Sequence, residues 1–594
     1  MTSTWFTILL LALGSLARAA QIYEDVSELP TFTFDFVVVG GGTAGNVVAN
    51  RLTENPNFSV LVVEAGVSNA GVIPSIVPAL VSELLPRTPY TWNFTTTPQA
   101  GMNNRVLDYP RGFILGGSSS VNGMFYTRGS RDNFDRYANV TEDPGWGWDN
   151  MLPYFFKNEK WAAPSDNHSE IGQYDPAVHG HSGINSVSLN GYAWPDSDAR
   201  IIQTTKDLPD KFPFVLDMNG GVPLGVGWFQ STIGHGERSS SATSYLGPQY
   251  ISRPNLHVLL HAQVSRVLQA TENSLHFNKV EFSQNKKTLY NITASKEIVI
   301  SAGSVNTPHI LLNSGIGDKT TLERFGIKPL IDLPSVGQNF SDQPVTTNNW
   351  IANATDTMEF YTQNTTHFNE VFAQWNNTRT GPLVDSIATH IVWLRLDPES
   401  PIFQKISDPS AGPHTPHIEL ALNAGAAGGA PGIGHFFSSA TAVVAPLSKG
   451  SVTLNSSNPF DAPIIDPAIF TSDFDVFAAR TAILKTQEFL SAPAWRGYIV
   501  GPAEPLASAL LSDAALDEYI RNTSISAQHP VGSAAMTAKS AGWGVVDPDL
   551  RVKGATGLRI VDASVIPFAP AAHTQAPTYA VAERGANLIM GDWK

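Results

Sequence analysis

The 594-residue chain has no cysteine, which rules out a disulfide, a thiol nucleophile and a thiolate metal site. It also lacks any dense carboxylate cluster, so no metal is expected. Charged residues make up only 15% of the chain, the net charge is −15 and no basic cluster occurs, so no nucleic-acid partner is expected. Long apolar runs are missing too. The stretch Trp5 to Leu13 covers nine residues, too few to span a bilayer, and nothing later looks transmembrane, so no membrane partner is expected. Internal repeats and long charge runs are also absent. The length exceeds what one hydrophobic core supports, which implies at least two domains.

The short apolar core at Trp5–Leu13 is followed by the small residues Ala17-Arg18-Ala19-Ala20, the pattern of a secretory signal over residues 1–19 cut near Ala19 or Ala20. No Lys or Arg precedes the core, which departs from the usual pattern. Eleven Asn-X-Ser/Thr triplets, among them Asn57, Asn93, Asn139, Asn167, Asn291, Asn353, Asn364 and Asn376, fit passage through a glycosylating pathway. The expectation is a secreted, extracellular glycoprotein.

The richest local signal is Gly40-Gly41-Gly42-Thr43-Ala44-Gly45. An apolar run, Phe34 to Val39, feeds it, and a helix-like stretch, Asn46 to Leu52, leaves it. A second apolar run, Val60 to Val63, ends in Glu64, nineteen residues past Gly45. Strand, tight turn, helix, strand and acid make the dinucleotide-binding βαβ unit. Gly40 permits the turn, Gly42 admits a pyrophosphate and Gly45 lets helix and strand pack. Thr43 and Ala44 open the helix whose free N–H groups face phosphate, and Glu64 suits a ribose hydroxyl. Near the C-terminus, Leu558 to Asp562 reads as another buried strand, and Pro577 suits the first turn of a closing helix. The Gly/Ala-rich segment Asn423 to Gly434 reads as a loop, either a lid or a surface connector.

Four further segments carry a family resemblance. Gly112-Phe113-Ile114-Leu115-Gly116-Gly117-Ser118-Ser119-Ser120-Val121-Asn122 resembles the first signature of the glucose–methanol–choline (GMC) flavoprotein oxidoreductases. Gly303 to Gly317 resembles their second signature, and His529-Pro530-Val531-Gly532 and His573-Thr574-Gln575 resemble their two active-site stretches. Trp92 to Thr97, Gln374 to Pro382 and Gly542 to Pro548 look most like the secreted fungal aryl-alcohol oxidases.

The resemblance implies a Rossmann-like FAD-binding domain, α/β in class, formed by 33–140, 228–345 and 545–594. A substrate-binding domain of α+β type, built on an antiparallel sheet, would be formed by 141–227 and 346–544. It implies FAD-dependent oxidation of a primary alcohol to an aldehyde, with His529 as base and His573 bonding the hydroxyl or alkoxide. Histidine suits that task because its ordinary pKa lies near working pH. By the same match Trp92, Gly117, Ser118, Asn122, Gly123, Val264, Asp562 and Ala563 contact FAD. The N–H groups opening the 577–590 helix would stabilise charge around flavin N1 and C2=O. Val121 occupies a place where covalent branches use histidine, so FAD is expected to be held non-covalently. Partners are a small-molecule alcohol and O2 or a quinone-type acceptor, in a monomer. An oxidase giving H2O2, a quinone-dependent dehydrogenase acting on a bulkier alcohol, and a catalytically silent flavin binder are the competing readings. Retention of both histidines argues against the last.

Departures from the family pattern are Phe113 where Arg or Lys is usual and Gln343 where His is usual. Gly123, the loop after Asn423 and Gln528 stand where aryl-alcohol oxidases carry aromatic rings. This predicts a wider, more polar pocket in which simple benzylic alcohols lose stacking surface and Gln528 meets a second polar group on the substrate.

Overall fold

The computed structural model describes residues 21–593. The signal segment expected over 1–19 lies outside the described residues. Two large sheets, each with its own hydrophobic cluster, organise the chain.

The first sheet grows from the glycine-run unit. Strand β1 is Ile22–Tyr23, β2 is Thr33–Val39 and β3 is Val60–Val63, with helix α1, Gly45–Leu52, between the last two. Val37, Val38, Val39 and all of β3 are buried, as expected of parallel strands covered on both faces. Four later strands extend it: β4 (Leu256–Leu259), β5 (Gln263–Gln269), β6 (Phe277–Ser283) and β7 (Tyr290–Ile300). The order is β1-β4-β3-β2-β7-β6-β5, parallel from β1 through β7 and antiparallel beyond it. The expected C-terminal strand is Leu558–Ile560, and it pairs in parallel with β7.

Gly40 adopts φ +101°, and a Cβ there would lie 2.6 Å from the Ser301 carbonyl oxygen, so only glycine fits this turn. The closing helix, Gln575–Asp592, is buried along most of its length beside α1. Glu583 on that helix is fully buried and receives Arg51 Nη2 at 2.7 Å and the Tyr245 hydroxyl at 2.6 Å. A buried carboxylate is tolerated there because it is both paired and hydrogen-bonded.

The second sheet is antiparallel throughout. Its path runs Ile499–Pro502, Pro344–Ala352, Phe436–Val443, Ile418–Asn423, His390–Leu394 and Gly225–Trp228, with Ile525–Ser526 also on Pro344–Ala352. Helix Asp473–Leu490 packs against one face. The other face turns toward the first sheet's glycine loop, across a cavity of about 1020 Å³.

Candidate active site

All the candidate catalytic, cofactor and substrate-pocket residues named from the sequence line this one cavity except Gly45. Gly45 lies behind the wall. A Cβ there would sit 1.9 Å from the Gly40 carbonyl oxygen, so glycine is what lets α1 pack closely on the turn. Gly42 faces the cavity: a Cβ added to it would meet only Gly117 Cα, at 3.8 Å. Glu64 is buried, with its oxygens 2.7 Å from the N–H groups of Gly41 and Gly66, and burial pushes its carboxyl up to about 7. The Asp562 carboxylate is spent on protein, taking the Gly303 N–H at 2.8 Å and the Thr307 hydroxyl at 2.6 Å. It thereby fixes the start of helix Gly303–Asn313 at the cavity edge. Trp92 is held on the wall between the stacked ring of Phe94 and the edge of Phe113. Phe113 thus fills the family's basic position with packing. A neighbouring arginine supplies the charge, because Arg111 donates to Ser118 Oγ at 2.9 Å and to the Gln528 carbonyl at 2.7 Å.

At the far end His529 and His573 stand edge to face, ring centroids 4.6 Å apart. The His529 backbone N–H donates to Asp342 Oδ1 at 2.9 Å, and Nδ1 lies 2.7 Å from Gln343 Oε1. The Gln343 amide nitrogen donates to the carbonyls of Pro570 at 2.8 Å and Val444 at 3.3 Å. Since those two carbonyls can only accept, Oε1 must face the imidazole and Nδ1 must carry its proton. Nε2 is left with its lone pair, and no protein group among the described residues bonds it. Burial, then the neighbouring His573 and Arg111, hold the His529 ring well below the usual histidine pKa, in the neutral form.

His573 is tied to a carboxylate. Its Nε2 faces Glu419 Oε1 at 2.8 Å, so that nitrogen is not free for a substrate hydroxyl. The ring stacks on Phe125 with centroids 4.0 Å apart, and its backbone N–H donates to Thr127 Oγ1. Gly123, Gln528 and the loop after Asn423 do line the cavity, yet Phe125, Tyr361 and Phe368 bring aromatic rings to it from other segments. The segment Asn423–Gly434 joins two strands of the second sheet, and Ala426 to Ala430 line the cavity. Asn349 and Glu359 accept the N–H groups of Ala427 and Ala426, so the base of the loop is pinned.

A glycine turn, a helix N-terminus, a buried acid and a histidine pair on one long cavity fit a dinucleotide with its reactive ring beside the histidines. Comparison with known proteins agrees. Models of the GMC oxidoreductase family match residues 34–345 and 446–582. The chain belongs to the GMC oxidoreductase family. This GMC oxidoreductase is 42% identical to dehydrogenase eriK of Hericium erinaceus, over 96% of this chain and 97% of that protein. It is 41% identical to pyranose dehydrogenase 3 of Leucoagaricus meleagris, over 96% and 95% of the two chains. A fungal aryl-alcohol oxidase structure superposes with a TM-score of 0.82 at 28% identity, covering 94% of this chain and 99% of that one. The cofactor is FAD, and the protein is a flavin oxidoreductase acting on CH–OH groups.

Proposed function

We propose that this GMC oxidoreductase oxidises an alcohol bearing further hydroxyl groups, of the pyranose kind, and passes the electrons to a quinone-type acceptor. The observation that carries the reading is the unpartnered Nε2 of a neutral, tautomer-locked His529 facing the cavity. Bound FAD supplies the hydride acceptor. His529 Nε2 takes the hydroxyl proton, and the Nδ1–H bond to Gln343 persists as the ring becomes cationic, so the base need not turn. Glu419 holds His573 in place and leaves Nδ1 as its ring atom without a protein partner.

Glu419, Asn423, Thr347 and Gln528 line the cavity with polar side chains, which suits a substrate with several hydroxyls. Tyr361 and Phe368 offer apolar faces to a sugar ring. The relatives at 41–42% identity are named dehydrogenases, which favours the quinone acceptor over O2. A second reading, O2-dependent oxidation of a benzylic alcohol to its aldehyde, draws on the aromatic rings in the cavity and the likeness to the aryl-alcohol oxidase.

Anaerobic mixing with pyranoses, glycosides and benzylic alcohols tests both. Bleaching of the flavin band by a pyranose, with benzoquinone restoring it faster than air, supports the first reading. Fastest bleaching by a benzylic alcohol with peroxide release in air supports the second. No bleaching by any alcohol defeats both.

We also infer that the protein is secreted and glycosylated. Asn57, Asn93, Asn139, Asn167, Asn291, Asn353, Asn364, Asn376, Asn455 and Asn522 are exposed, and only Asn339 of the eleven triplets is half-buried. Of the other twenty-six described asparagines nine are exposed, so the triplets favour accessible sites beyond what asparagine does in general. Recovery from the culture medium, with a drop in mass on peptide-N-glycosidase treatment, is the expected result.

A further inference from the structure

The buried arginines Arg51, Arg128 and Arg559 each pair with a buried carboxylate: Glu583, Glu159 and Glu297 respectively. Arg238 is 4% exposed and pairs with no carboxylate among the described residues. Its Nε donates to the Ser75 carbonyl at 2.9 Å. Nη1 is shared among the carbonyls of Ser119 and Asn122 and Asn122 Oδ1, at 3.3, 2.6 and 2.8 Å. Nη2 has no partner. Burial draws the guanidinium down to about 9, against only the neighbouring Tyr579, yet it stays cationic at neutral pH. A charge taken out of water without a counter-ion is costly, and a neutral donor would serve three carbonyls without that cost.

The location supplies a reason. Asn122 lines the cavity, and its amide nitrogen donates to Gln575 Oε1, on the first residue of the closing helix and also on the cavity wall. Gln575 Nε2 is anchored to Thr232 Oγ1 at 3.0 Å. The cation therefore stands one hydrogen bond behind the wall where the closing helix begins, where the helix dipole adds positive potential. Hydride gain delivers two electrons and one proton to a neutral flavin ring and leaves it with a charge of −1.

We propose that Arg238 is the fixed counter-charge for the reduced flavin, favouring the anionic reduced cofactor over the neutral oxidised one. It acts through Asn122 and the field it sets up and touches no reacting atom, so it is a positioning residue. In a wall with little water a unit charge is weakly screened, so such a bias does not need direct contact.

The test uses FAD-loaded protein and reads the sulfite dissociation constant and the two-electron midpoint potential. Arg238→Met, which removes the charge at similar bulk, should bind sulfite at least about tenfold more weakly and lower the potential by about 30 mV for each tenfold. Arg238→Lys, which keeps the charge and loses the fork, should stay within about threefold of the parent. Unchanged values in Arg238→Met overturn the proposal, as does an equal loss in Arg238→Lys, which would assign the effect to the fork. Weaker FAD binding in both redox states at unchanged potential overturns it as well, because the charge would then serve the pyrophosphate. If Arg238→Met does not retain FAD, Asn122→Asp places a carboxylate on the cation. A fall in potential there supports the proposal and an unchanged potential overturns it.

Discussion

Gln343 holds His529 by an amide oxygen that can only accept, 2.7 Å from Nδ1, so a neutral side chain decides which nitrogen of the ring faces the cavity. Asp342, the adjacent carboxylate, meets His529 through its backbone N–H and leaves the ring alone. A base oriented by an amide is weaker than one oriented by a carboxylate, and it stays unprotonated into more acidic solution.

Gln343→Leu should slow flavin reduction roughly 10- to 100-fold, less than the roughly 10²–10⁴-fold expected for losing a general base. Gln343→Glu should move the acid limb of the rate profile to higher pH, since a carboxylate at that distance favours the imidazolium. Stopped-flow reduction across pH reads both. A rate in Gln343→Leu within twofold of the parent would remove Gln343 from the mechanism.

His529→Ala should lose about 10²–10⁴-fold in reduction rate, with FAD still bound. His573→Ala should also be severe, because Glu419 then faces an empty site and the substrate oxygen loses a positioned neighbour. Absorbance at the flavin band checks cofactor content, and single-turnover bleaching checks the rate. Near-parental bleaching in either variant would strike that histidine from the proposed chemistry.

The pH dependence has a definite sign. The folded-state pKa of His529 is depressed by burial, so the neutral base is present above it and lost as pH falls through it. The reduction rate should stay level from about pH 8 down through the ordinary histidine range near 6.5 and fall only in more acid solution. An acid limb centred at 6.5 or above contradicts this.

Acid or heat should release free FAD from the purified protein, because Val121, buried at 3% exposure on the cavity wall, has no atom that can bond the flavin. The test is precipitation followed by a spectrum of the supernatant. Yellow colour left in the pellet would contradict it.

His179 lies between two carboxylates, with Nδ1 2.5 Å from Glu159 Oε1 and Nε2 2.6 Å from Asp217 Oδ2, all buried beside Arg128. His179→Ala leaves two acids facing one cation and should cost about 3–5 kcal/mol of stability. Burial works against the proton on His179, but the two acids outweigh it and raise the pKa. Its contribution is therefore full below the unfolded value near 6.5 and fades as pH rises through the raised one. Glu159 and Asp217 are held low against their own burial, so theirs fades on acidification. Denaturant titrations of parent and variant at several pH values check both limbs. A loss under about 1 kcal/mol would show the cluster to be dispensable.

What the sequence made legible was what lies close together along it. The glycine loop, the first signature, the two histidine stretches and the closing helix each carry their pattern within about fifteen residues, and each lands on the cavity. The partners that set their chemistry carry no such pattern. Glu419 is a lone acid in the buried strand Ile418–Asn423, and nothing nearby marks it as the partner of His573, 154 residues away. Phe125, Tyr361 and Phe368 bring rings to the cavity from outside the matched motifs, because a cavity wall can take an aromatic surface from any segment that reaches it. Arg111, two positions before Phe113, carries no pattern that marks it. Gln343 stands where a histidine is usual, and its use depends on Pro570 and Val444, which hold its far end from distant segments.

The parallel pairing of Leu558–Ile560 with β7, and the burial of helix Gln575–Asp592 against α1, bear on how the protein is made. The glycine turn leaves the ribosome more than 500 residues before the helix that completes its surroundings. At roughly 5–20 residues per second that interval lasts about 25–100 s. Through it the nascent chain holds an apolar half-core with one flank open, and FAD has no finished pocket to enter. Cofactor loading therefore belongs to the end of synthesis, and a chain stopped short of the last strand should be bound by chaperones and stay colourless.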